Sequence, residues 1–133
     1  MNENKLKHIE LIQGVINRMA SNSFLLKGWT ITVLVAVFAF SRQDISHHLL
    51  MFITLLPVIV FWFLDGYFLY QERLYRSLYN DVIKKEPKDI DFSMGAYKYH
   101  DNKKNNKMST VFSETLIAFY LPLLIIAFVL NAK

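Results

Sequence analysis

Cysteine is absent from this chain, which excludes disulfide bonds, thiolate metal centres and a cysteine nucleophile. The absence carries no information about redox compartment. Glycine occurs only four times and nowhere in the clustered spacing that cradles a phosphate. Charged residues make up only 20% of the 133 positions, while 53% are hydrophobic. Three membrane helices of about 20 residues would use nearly half the chain and leave little for a soluble catalytic domain. No Ser/His/Asp, paired-carboxylate or metal-ligand set can be assembled. His47 and His48 are adjacent, not four apart as two imidazoles on one helix face would be, and His100 stands alone. The expected classes therefore exclude an enzyme, a metal site and a bound cofactor. The polar N-terminus, MNENKLKHIELIQ, passes straight into helical spacing, so no cleavable signal peptide is expected.

What the chain does have is hydrophobicity gathered into blocks. The longest begins at Leu49, runs to Leu64 without a charge, meets Asp65 and continues as an aromatic, charged stretch to Tyr79. These blocks predict an all-α integral membrane fold with three transmembrane helices and a single membrane domain. The expected order is an amphipathic helix over 5–21, a first span over 24–40, and a second span over 49–70. A helical extension follows over 71–84, then a loop over 85–108 and a third span over 111–130.

The amphipathic segment repeats Ile9, Ile12, Ile16 and Met19 at three- and four-residue spacing, flanked by Leu6 and Val15. It is expected to pack on its own protein or on a neighbouring copy, the alternative being the lipid surface. Nothing between Ser21 and Trp29 forces a break before the first span. Past Tyr70 the helical pattern persists. Glu72 and Arg76 form an i, i+4 pair, and Leu74, Leu78 and Val82 with Tyr75 and Tyr79 keep one face apolar. This predicts a long helix projecting into water and stopped by KKEP. Pro57 and Pro122 predict bends within spans two and three, and Ser109 and Thr110 are candidate caps for the third.

Of the 15 lysines and arginines, only Arg42 in the first connection and Lys133 at the C-terminus fall on one side of this topology. The positive-inside rule then puts the N-terminus and the long loop in the cytoplasm of a multi-pass inner-membrane protein, with the C-terminus outside. The net charge of +4 is explained by these basic cytoplasmic segments rather than by nucleic acid.

This topology brings Lys27, Asp65 and Glu114 to a similar depth near the cytoplasmic face, with Gln71, Glu72, Arg73 and Arg76 just beyond. Ionisable groups at such depth face protein or water and pair. One reading is a structural lock in which Lys27 joins Asp65 or Glu114, with Gln71 and tyrosine hydroxyls filling the remaining bonds. Another is an acidic ring around a pore formed by several copies. A proton-coupled carrier is disfavoured by three spans without an internal repeat.

The segments HIELIQGVINRMASNSFLLKGW and FLDGYFLYQERLYRSLYNDV resemble a widespread group of short, uncharacterised bacterial integral-membrane proteins. The helix, hairpin and cytoplasmic-helix plan is also similar to SLATT-type membrane effectors of bacterial conflict systems. That second resemblance implies self-assembly and permeabilisation of the inner membrane on a trigger, as in antiphage defence. The function expected is an oligomeric pore-forming or membrane-disrupting effector, with Asp65 and Glu114 at the inner mouth and Glu72, Arg73 and Arg76 between copies. The alternative is a non-conducting scaffold that recruits a cytoplasmic partner through the second-helix extension and the basic loop.

Overall fold

A computed structural model describes residues 3–40, 46–99 and 107–131. All regular structure in them is helical: α1 (Glu3–Phe40), α2 (His47–Lys84), α3 (Lys107–Val111) and α4 (Glu114–Asn131), with single 3-10 turns at Pro87–Asp89 and Tyr97–Tyr99. Arg42, His100, Lys103, Lys104 and Lys133 lie outside the described residues, and so do most of the first connection and the Asn/Lys-rich end of the loop.

The amphipathic segment and the first span are one helix of 38 residues, because no proline or capping sequence interrupts them. α2 is equally long and passes through Pro57 without ending. At about 1.5 Å per residue each reaches roughly 57 Å, nearly twice the ~30 Å of a bilayer's hydrocarbon. α1, α2 and α4 each contain an 18-residue window apolar enough to cross a membrane, with mean hydropathies of 1.8, 2.2 and 2.0. Threonines inside these windows return their hydroxyls to the preceding turn, Thr30 to Leu26 O at 2.7 Å and Thr54 to Leu50 O at 2.7 Å. These two hydroxyls are thereby not left to face an apolar surround.

α1 and α2 pair antiparallel. Lys5 meets Ile83, and Ser23, eighteen residues along α1, meets Asp65, eighteen residues back along α2, so the register holds without a slip. Beyond the apolar windows the pair encloses a core of Ile9, Ile12 and Ile16 against Tyr70, Leu74, Leu78 and Val82. The apolar stripes expected on the two segments thus face each other. Met19 and Val15 are half-buried at its edge, and Leu6 is exposed. Ile90 and Ala96 of the following loop close the far end of this core. Tyr99 pins that loop to α2 by donating its hydroxyl to Asp81 Oδ2 at 2.7 Å.

α2 starts on Ser46, whose side chain accepts from Leu49 N at 3.2 Å. At its other end the free carbonyls are met by a residue from the opposite terminus: Lys5 Nζ donates to Ile83 O at 3.2 Å and to Lys85 O at 2.7 Å. A cation at a helix C-terminus is favoured by both the open carbonyls and the helix dipole.

The third long apolar helix begins three residues beyond position 111. A turn at Phe112–Ser113 separates the short α3 from α4, which therefore starts at Glu114. Thr110 sits inside α3 and does not cap α4; its hydroxyl accepts from Arg73 Nη1 at 3.2 Å. α3 lies against α2 at Gly66, where an added Cβ would come within 2.7 Å of Val111 Cγ2 and 3.3 Å of Val111 Cα. Glycine is required there by the closeness of the two backbones. Trp62 Nε1 donates to Val111 O at 2.8 Å and completes the joint.

Candidate functional site

Asp65 is fully buried, and its carboxylate is the point where α1, α2 and α4 converge. Oδ1 accepts the Ser23 hydroxyl, and Oδ2 accepts both Lys27 Nζ at 2.6 Å and the Tyr120 hydroxyl at 2.9 Å. Lys27 also donates to Ser23 Oγ at 2.9 Å. Three donors on one carboxylate compensate the loss of water that a buried charge would otherwise suffer. The ion pair balances the charge of the buried carboxylate.

The placement follows from helix geometry. Ser23 and Lys27 are four residues apart and so share a face of α1. Lys27 keeps 20% of its side chain exposed, with the ammonium 5.8 Å from the Phe119 ring centre and 6.0 Å from that of Tyr120. Tyr120 is held by stacking on Trp62, the two rings 5.9 Å apart and only 9° from parallel. An apolar cluster of Leu34, Val58, Leu116 and Tyr120 lies on one side of this network, and the Ile9–Val82 core lies on the other. Asp65 is thus a polar plug between two apolar compartments.

Lys27 and Asp65, two members of the expected layer, meet as a direct ion pair. Glu114 does not join them. It is exposed at the first residue of α4 and makes no ion pair among the described residues. Its place is taken by Tyr120, six residues deeper. The Tyr120 hydroxyl is of the kind expected there, and Ser23 is the member that sequence reasoning missed; its only signal was its four-residue spacing from Lys27.

The charged motif beyond the network is also committed within the chain. Glu72 is nearly buried and accepts from Arg76 Nη2 at 2.9 Å, while Arg76 itself is exposed. Arg73 ties α2 to α3 through Thr110, and Gln71 is half-buried.

Outside the apolar segments, the Tyr99 hydrogen bond, followed by nearby Lys85, holds the Asp81 carboxyl below its usual range. Burial, reinforced by Asp81, pushes the Tyr99 phenol well above its own. No cluster of three or more metal-ligating side chains occurs among the described residues.

The fold and this network define an all-helical chain with three helices long and apolar enough to span a membrane, cross-linked by one buried carboxylate. Comparison with known protein families, curated proteins and solved structures gives no match.

Proposed function

We propose that this chain is an oligomeric multi-pass protein of the bacterial inner membrane that serves as a scaffold, presenting its water-exposed helix pair to a cytoplasmic partner. The observation that carries this reading is the commitment of Asp65. A carboxylate with no exposure and three donors from its own chain holds helices together and is not free to line an aqueous path. The cytoplasmic placement of the N-terminus and the helix pair rests on the positive-inside rule. The inner membrane is supported by the resemblance to short bacterial membrane proteins.

A second reading, the pore-forming or membrane-disrupting effector, is favoured by Glu114. It is acidic, exposed and set at the start of an apolar helix, the position from which several copies would build an acidic ring. Asp65 would then hold the helices behind that ring and would not line it. One reconstitution separates the two. The protein is placed in liposomes, its cation conductance is recorded, and the Glu114→Gln variant is recorded beside it. The scaffold reading expects no conductance above empty liposomes and a stoichiometric partner in pull-down from membranes. Conductance that Glu114→Gln abolishes establishes the pore instead. A monomer in detergent by light scattering overturns the oligomer common to both.

A further inference from the structure

The end of the helix pair farthest from the apolar windows carries a feature that neither the fold nor the Asp65 network uses. Asn4, Lys7, His8 and Leu11 of α1 face Phe92 and Met94 across an open groove of about 320 Å³. Leu11 is 62% exposed and Phe92 44%, and both lie more than ten residues from the nearest apolar window. A bilayer therefore does not account for this patch, and exposed apolar groups in water mark binding surfaces.

Two polar groups in the groove wall are unmatched. His8 is 4% exposed, and its Nε2 is buried without a hydrogen-bond partner. Its ring is held edge-to-face by Phe92 at 5.5 Å, and Phe92 adopts φ 58°, a left-handed backbone that is strained for a side chain of this size. Lys7 makes no ion pair among the described residues, although Glu3 and Glu10 stand four before and three after it on the same helix. Lys7 is the one lysine, arginine or carboxylate among the residues that line the groove.

We infer that this groove is the docking site for a short acidic peptide segment of a partner protein. The segment places one large apolar side chain between Leu11, Phe92 and Met94 and a carboxylate against Lys7. A peptide polar group pairs with His8 Nε2 as the Phe92 ring shifts. The inference rests on the scaffold reading and locates its contact surface. A groove this small and open takes a side-chain anchor rather than a whole helix.

The test uses the full chain in nanodiscs with fluorescein-labelled pentapeptides. Two are acidic with a central phenylalanine or leucine, one is basic with a central phenylalanine, and one is acidic with a central glycine. Saturable binding of the first two alone is expected, with a shift of the His8 imidazole resonance in nitrogen-labelled protein. Lys7→Glu should weaken the acidic peptides about fivefold, the effect of reversing one partly screened charge pair. Leu11→Asp should abolish binding. Both positions are exposed, so neither change threatens folding. The inference is overturned if the acidic apolar peptides do not saturate, or if they bind the two variants as well as the parent. A partner recovered equally by parent and Leu11→Asp protein would overturn this groove while leaving the scaffold reading intact.

Discussion

Replacing Asp65 by asparagine keeps the shape of the side chain and removes its charge, which isolates the electrostatic part of the three-helix joint. The amide oxygen can still accept on its own side, but the second oxygen becomes an NH2 group facing donors. Lys27 loses its counter-ion, and one of the Ser23 and Tyr120 hydroxyls loses its acceptor. Breaking a buried pair by deleting one partner costs about 3–5 kcal/mol. The 20% exposure of the Lys27 side chain gives its ammonium a route toward water and places this case at about 3 kcal/mol. A lost hydroxyl bond between membrane helices adds about 0.6 kcal/mol. Lys27→Met should cost at least as much, because it strands a fully buried carboxylate. The double variant removes both charges and should lie within about 1 kcal/mol of the parent, giving a coupling energy of about 6 kcal/mol. Trp62 supplies the readout, since it stacks on Tyr120 and bonds to Val111. With the exposed Trp29 changed to phenylalanine, its emission follows undocking of α4 during denaturant titration in bicelles. Additivity of the two single changes within about 0.5 kcal/mol would refute the lock.

Gly66→Ala should weaken the α2–α3 joint by about 1–3 kcal/mol, since the new methyl meets a backbone carbon as well as a movable side chain. Adding Val111→Ala should recover part of that loss, and no recovery in Trp62 emission would contradict the close approach. Lys5→Met should fray the end of α2. The lost charged bonds are worth about 1.5–3 kcal/mol when dry and about 1 kcal/mol where water replaces them, so hydrogen exchange at Val82–Lys84 should quicken roughly fivefold. Unchanged protection there would show that Lys5 is not the cap. The Tyr99–Asp81 clasp should fail at both extremes of pH. The lowered Asp81 value stabilises the folded loop above the ordinary carboxylate range, and that contribution disappears as pH falls through the lowered value. The raised Tyr99 value stabilises it below the ordinary phenol value of about 10, with loss as pH rises through the raised one. The Ala96 methyl resonance should therefore move at both ends of the range in the parent and lose its alkaline transition in Tyr99→Phe. An alkaline transition that survives in Tyr99→Phe would break the assignment.

How much of this was readable beforehand depended on whether a contact is set by depth alone or also by rotation about a helix axis. The faces Ile9–Ile12–Ile16 and Leu74–Leu78–Val82 were legible because periodic burial shows both at once, and two such stripes in an antiparallel pair have each other to cover. Lys5 at the end of α2 was not legible, because a cap supplied from 78 residues away leaves no local pattern. Within apolar spans the stripe vanishes: nearly every residue of α4 is hydrophobic, so only depth could be estimated, and depth selected Glu114. Rotation decides otherwise. At about 100° per residue, Glu114 lies roughly 160° around the helix from Leu116, which is fully buried against α1 and α2 along with Tyr120. A helix that turns Leu116 and Tyr120 inward must turn Glu114 outward, and no adjustment of its depth changes that. The same geometry divides the roles of the two acids. Asp65 is directed to the inside of a single copy, and the Glu114 side chain, wherever it finds a partner, must find it beyond the three-helix joint of its own chain.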